Sequence, residues 1–274
     1  MYNENMSNNF RQFFGSVFLY AVALLLMAVF SFSFTDPNLV LSSNPVYWQA
    51  QQWFWRTWFD NPVLQAQWFA GLMVAIWLSY AFFARSLWGV REKITGKMLV
   101  IVVALFLLPL LFAYNALSHD IFNYMFNAKM VVEFGADPHV KTALDFAYDP
   151  WTRFMHNTHT PAPYGYGWTA ISVVPFTLGM GKFLPSFLLF KMWSVLGMLV
   201  TAGGVVWWLY KTQQRDRLWL VLLVFANPLL LLELTMTGHN DGWMLAPAVW
   251  MLALLQTKTP KTIWVRAMFA MLLL

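Results

Sequence analysis

Residues 118–167 read SHDIFNYMFNAKMVVEFGADPHVKTALDFAYDPWTRFMHNTHTPAPYGYG, the longest interruption in an otherwise oily chain. Four of the five histidines lie here: His119, His139, His156 and His159. So do Asp120, Glu133, Asp137, Asp145 and Asp149, five of the twelve carboxylates, against only Lys129, Lys141 and Arg153. A chain that dissolves in lipid accepts titratable groups at depth or at the interface reluctantly, so a cluster of this kind marks a functional site.

The surrounding composition decides what carries that stretch. At 59% hydrophobic and 11% charged, with a mean hydropathy of +0.54, the chain lies outside the soluble range and reads as an all-α, polytopic membrane protein. One transmembrane domain is expected over residues 1–274, with the 118–167 loop and its short interfacial helices inside it. The absence of cysteine excludes disulfides, thiolate nucleophiles and thiolate metal sites. The 16 Trp and 10 Tyr suit interfacial belts. A net charge of +5 invites a nucleic-acid partner, but Lys and Arg gather in short loops between oily runs. That is the positive-inside pattern of a chain whose partner is the bilayer, with no nucleic acid implied.

Residues 13–34 are too long for a signal-peptide core and lack a small-residue cleavage site, so they predict a retained first span. Residues 47–59, YWQAQQWFWRTWF, predict a helix lying in the interface. A second span follows over 68–87, and the loop after it carries Arg85, Arg91, Lys93 and Lys97 against a lone Glu92, which makes it cytoplasmic. The third span, 98–117, therefore delivers Ser118, His119 and Asp120 to the far face. Residues 168–181 reach only about 21 Å as a helix, too short for a core of about 30 Å, and are expected to be re-entrant or half-spanning. Residues 183–210 then return to a cytoplasmic loop marked by Lys211, Arg215 and Arg217. An outward crossing over 218–236 ends in Asn227-Pro228-Leu-Leu-Leu-Leu-Glu233 and Thr237-Gly-His-Asn-Asp-Gly242. The next oily run, 243–255, is short, so this polar tip should sit in a cavity below the outer surface. Lys258, Lys261 and Arg266 make a further cytoplasmic loop, and 263–274 begins a span that the chain does not finish.

Within the loop, residues 121–134 predict a short helix ending at Gly135, whose missing Cβ suits a left-handed cap before the Asp137-Pro138 turn. Asp120, Asn123, Tyr124 and Asn127 fall at i, i+3, i+4 and i+7 and share one face. A merely wet helix face would favour Lys and Glu over a lone Asp with two amides and a Tyr. In 160–167, TPAPYGYG, the prolines fix the backbone and leave Tyr164 and Trp168 as walls suited to a sugar or a lipid-phosphate head. His239, Asn240 and Asp241 beside Glu233 cost too much below the surface to be a plain Asn- and Gly-rich turn.

SHDIFNY, GADPH, PAPYGYG, NPLLLLE and GHND, in that order over about residues 98–250, resemble the polyprenyl-phosphate-mannose-dependent alpha-1,6-mannosyltransferases of the GT-C superfamily. The family's usual PYGP reads PYGY at 163–166 here, and its Asp-Pro-Tyr reads Asp-Pro-His at 137–139. The resemblance implies a GT-C-like helix bundle in the bacterial plasma membrane with an extracytoplasmic site. It implies mannose transfer from a polyprenyl-phosphate sugar donor to a glycan or glycolipid acceptor. Asp120 matches the family's catalytic base, and a single base fits an inverting displacement; the paired-carboxylate rule for hydrolases is only an analogy. His119, Asn123, Tyr124, Lys129, Asp137, Arg153, His159, Tyr164, Glu233, His239, Asn240 and Asp241 are the expected substrate-binding residues. The phosphate partner could be Lys129, Arg153, His156 or His159. No cofactor is certain, although His119 with Asp120, or His239 with Asp241, could hold a divalent metal. The rival reading is a transporter with breaks at Pro109, Pro175 and Pro247 and coupling at Asp120 and Asp241. No internal repeat supports it, and a loop of roughly fifty residues exceeds what transport needs.

Asp120 also stands out without the family. The base must sit at the membrane boundary on the loop-bearing face. Glu133 lies off the polar stripe, Asp137 and Asp149 precede prolines, and Asp145 is expected to lack polar partners.

Overall fold

The computed structural model describes residues 2–39 and 41–255. The expected cations Lys258, Lys261 and Arg266 and the unfinished span lie outside them. Ten α-helices follow in order: α1 Tyr2–Phe30, α2 Pro45–Phe54, α3 Pro62–Val90, α4 Gly96–Leu111, α5 Asp120–Phe134, α6 Tyr166–Leu178, α7 Phe183–Lys211, α8 Leu218–Phe225, α9 Pro228–Leu231 and α10 Asp241–Leu255. There is no strand among the described residues. Ser7–Phe34, Pro62–Lys93 and Phe183–Lys211 are long and apolar enough to cross a membrane. Arg215–Phe225 with Pro228–Met236, bent by 64°, makes a fourth crossing if counted as one span. The protein is an all-helical polytopic membrane protein.

Two spans depart from the simple hydropathy reading. The third was expected to run to residue 117, yet α4 stops at Leu111, two residues after the internal Pro109. Pro109 costs α4 the bond to the Leu105 carbonyl within the helix, and beyond Leu111 the apolar run continues as a link whose Ala113 N bonds to Leu110 O at 3.2 Å. The outward crossing breaks at Asn227-Pro228, where the Asn227 side chain accepts from Leu229 N at 2.9 Å and starts a new helix in a new direction. Carbonyls freed at the end of α8 are taken by tyrosines from the α1/α3 pair. Tyr20 donates to Ala226 O at 2.8 Å and Tyr80 to Leu223 O at 2.7 Å. These two bonds lock the broken span to the bundle, because an unpaired carbonyl in lipid costs several kcal/mol, roughly.

α1 and α3 pack as a hairpin, with Ser16 and Ser86 hydroxyls 2.5 Å apart in the buried seam. α7 and α10 approach so closely that a Cβ on Gly197 would meet Trp243 N at 2.8 Å and one on Gly242 would meet Met198 N at 2.7 Å. Small residues are what let two backbones come that near in lipid. The two basic turns, Arg91–Lys93 and Arg215–Arg217, pack together, and Trp88 meets Trp219 edge-on at 5.3 Å. Positive charge therefore collects at one end of the bundle and the 118–167 loop at the other.

The interfacial helix expected at 47–59 forms as α2 continued by the π turn Trp55–Phe59. α5 begins at Asp120 and ends at Gly135, whose φ of 59° is the left-handed cap. α6, 13 residues or about 20 Å, is shorter than a bilayer core of about 30 Å. Beyond it Phe183 lies against Trp151 at 5.3 Å and Phe154 at 5.0 Å, so the chain is still on the loop side when α7 begins. Phe122, Trp151, Phe154, Phe176 and Phe187 form a second core there, separate from the one between the spans.

Candidate functional site

Asp120 is the first residue of α5, and two local bonds fix its backbone. Asn115 Nδ2 donates to Ser118 O at 2.7 Å, and Ser118 Oγ accepts from Asp120 N at 3.1 Å. Its carboxylate receives the Tyr164 hydroxyl at 2.9 Å on Oδ2. Tyr164 is held in turn by Tyr124, edge-on at 5.1 Å, and Tyr124 by Trp168, also at 5.1 Å. Burial, aided by the nearby Asp120 and Asp241, pushes both tyrosine hydroxyls above their ordinary range. Both therefore stay protonated and act as donors.

The second arm comes from the broken span. The π turn Leu232–Met236 carries Glu233, and Gly238 at φ 75° then reverses the chain. The positive φ calls for glycine here, and a Cβ on Gly238 would also come within 2.9 Å of Ile121 Cδ1, so the turn lies directly against α5. The contact brings His239 Nδ1 to 4.0 Å from Asp120 Oδ2 and 3.9 Å from Asp241 Oδ2, while Nε2 lies 3.6 Å from Glu233 Oε2. Tyr124 closes the arrangement by donating to Asn240 Oδ1 at 3.4 Å. Thus Asp120, Tyr124, Tyr164, Glu233, His239, Asn240 and Asp241 form one cluster.

On its other side Asp120 lines a cleft of about 40 Å³ with Asn123, Asn127, Asn157, Thr160 and Tyr164. The Oδ1 of Asn123 is buried there with no hydrogen-bond partner among the described residues. Next to Asp120, the His119 ring stacks on His156 at 3.7 Å. Burial, and then the neighbouring His156, lower the His119 pKa below its ordinary value.

The other expected residues have different employment. Lys129, half a turn round α5 from Asp120, is buried and pairs with Asp149 at 2.6 Å and Glu133 at 3.7 Å, with its ammonium 4.2 Å over Trp151. That engagement corrects its candidacy as a free phosphate ligand. Asp137 accepts from His139 N at 2.9 Å and from the Tyr166 hydroxyl at 3.1 Å, tying the loop to α6. Asp145, expected to lack polar partners, instead closes a capping box with Thr142 and lies 3.5 Å from Lys141. The Thr142 backbone N–H holds its carboxyl below the usual range. Arg153 and His159 are exposed and make no ion pair among the described residues.

Among the described residues no three His, Asp or Glu are arranged to hold a metal ion.

Lys191 and Ser194 on α7 went unnoticed in the sequence, yet both bond to the backbone of the segments that carry this cluster. A lone charge in the apolar interior of a 29-residue helix was the available signal.

The helix bundle thus gathers carboxylates, an amide and tyrosines in one cluster, and the family match says which class of membrane protein it serves. Residues 18–273 match the family described as alpha-(1->6)-mannopyranosyltransferase, N-terminal domain, and the chain belongs to that family. Comparison with curated proteins gave no match, and comparison with solved structures gave none either. Membership makes the chain a mannosyltransferase, which acts on a sugar donor and a glycan acceptor, and removes the transporter reading.

Proposed function

We propose that this protein transfers mannose from a polyprenyl-phosphate donor to an extracytoplasmic glycan or glycolipid, with inversion, and that Asp120 is the base. The site would face away from the cytoplasm of a bacterial plasma membrane, on a single transmembrane domain with 118–167 as its catalytic loop. The observation that carries this reading is the convergence of Tyr164 and His239 on the Asp120 carboxylate at the boundary of the spans. In the reaction the acceptor oxygen attacks the anomeric carbon and its proton passes to Asp120. The bond from that carbon to the phosphate oxygen breaks, and the electron pair leaves with the lipid phosphate.

Elimination supports Asp120. Asp137, Asp145, Asp149 and Glu133 all hold loop structure together. Among the described residues, the ion-pair distance that Glu233 and Asp241 each make within the cluster is to His239. An apolar groove of about 620 Å³ between α1 and α4 supports a lipid donor. It ends at Phe32 and Phe112, the latter at the start of the link that presents Asp120, and its lining of Phe18, Leu25, Leu105 and Leu108 suits a polyprenyl chain. The departing phosphate needs hydrogen-bond donors, and with Lys129 engaged these are His156, His159 or Arg153.

Incubating purified protein in lipid with labelled polyprenyl-phosphate mannose and a mannan acceptor tests the reading. Label should leave the lipid; label that stays on it in the presence of folded protein and acceptor would overturn the proposal.

A further inference from the structure

One face of α7 joins both halves of the cluster, and the mechanism above makes no use of it. Lys191 is fully buried in the interior of that helix. Its ammonium donates to Leu110 O at 3.1 Å and to Ala113 O. These carbonyls belong to the end of α4 and the start of the link that leads to Asp120. One turn further along the same face, the Ser194 hydroxyl lies on Leu234 O at 2.7 Å and on His239 O. Those carbonyls bracket the turn that presents His239 and Asp241.

We propose that Lys191 and Ser194 are a brace that sets the spacing between Asp120 and His239, and so positions the base. The inference rests on Asp120 being that base. Its physical content is the chemistry of a helix end in lipid. α4 stops at Leu111, where Leu110 O accepts a turn bond from Ala113 N at 3.2 Å and keeps a second lone pair for Lys191, and these carbonyls lie at the negative end of a helix dipole. An ammonium offers three donors and a positive charge, which suits that end better than any neutral side chain. No carboxylate pairs with Lys191 among the described residues, and its other neighbour is the Phe187 ring at 5.7 Å. The side-chain nitrogen is held by these two carbonyls, which ties its location to theirs. Being fully buried, Lys191 touches no substrate and acts only through what it holds. Ser194 lies three residues away, so a shift of either segment is felt by the other through the rigid turn between them.

Other sources would hold α4 in place equally well if capping were the whole role, so the test must separate spacing from stability. Lys191→Met and Ser194→Ala should each lower kcat about tenfold or more, with KM for the donor changed less than about threefold, the mark of a misplaced reacting group. Ser194→Thr, which keeps the hydroxyl, should restore most of the rate. In an Asp120→Asn background neither substitution should lower the residual rate further, because the group being positioned is gone.

A second readout needs no activity. The chain has no cysteine, so Asp120→Cys with His239→Cys can be bridged by a short bifunctional thiol reagent. Bridging should slow several-fold when Ser194→Ala or Lys191→Met is added. If bridging responds but the wild-type chain transfers nothing, the brace stands and the assignment of Asp120 falls. The brace is overturned if folded Ser194→Ala keeps wild-type kcat and bridging, or if losses multiply unchanged in the Asp120→Asn background. Ser194→Ala decides the matter alone if Lys191→Met does not fold.

Discussion

Removing one oxygen from the site, by Tyr164→Phe, isolates the contact on which the Asp120 assignment leans. The Tyr164 hydroxyl donates to Asp120 Oδ2 at 2.9 Å, and the ring itself is seated by Tyr124 at 5.1 Å. Phenylalanine keeps the ring, so packing is conserved and stability should fall by no more than the contribution of that one bond. A hydrogen bond to a charged acceptor contributes about 1.5–3 kcal/mol. Asp120 is 26% exposed, so water screens part of that, and the lower end applies. At about 1.4 kcal/mol per factor of ten, turnover should fall about tenfold. Because the hydroxyl orients the carboxylate and does not hold the donor lipid, KM for the donor should move less than about threefold. Steady-state transfer from labelled polyprenyl-phosphate mannose, normalised to folded protein, measures both. Turnover within twofold of wild type refutes an orienting role. A collapse to the level of Asp120→Asn refutes it in the other direction, because the phenol would then be acting in the chemistry itself.

Three further outcomes follow from the geometry. Lys129→Met leaves Asp149 buried without its cation, which should destabilise the folded protein by about 3–5 kcal/mol; an unchanged thermal midpoint in lipid would show that the pair is idle. His119 has a folded pKa below its ordinary 6.5, first through burial and then through His156. The unfolded chain therefore binds that proton more readily, so this contribution is complete above about 6.5 and is lost as pH falls below it. His119→Gln should flatten the acid decline of the thermal midpoint, and an identical slope in both proteins contradicts this. Single cysteines at positions 120 and 241 should label with an impermeant thiol reagent in intact cells, whereas positions 91 and 215 should not; labelling at 215 alone inverts the proposed topology.

What could be read in the sequence was whatever depends on spacing along one element. The polar stripe and the glycine stop of α5 are a helix period and a cap, and both appear where the residues put them. The meeting of the Gly238 to Asp241 turn with α5 was legible because span lengths and basic loops put both tips at one end. The end of α4 was not legible, since hydropathy continues past Leu111 and cannot register Pro109 or an ammonium arriving from α7. Lys129 looked free because its partner Asp149 is twenty residues on, across a loop whose folding no local rule fixes. Asp145 is a different case: Thr142 three residues earlier is capping-box spacing, and the signal was present but not used.

The measurement that tests the account most directly is transfer by Asp120→Asn at matched levels of folded protein. Asparagine keeps the shape and can still accept the Tyr164 hydroxyl, but it cannot take a proton from the acceptor. Transfer should fall about a hundredfold or more, the usual contribution of a positioned base, while binding of the donor lipid is retained. Turnover near that of the wild type would contradict the account and move the search for the base to Asp241 or Glu233.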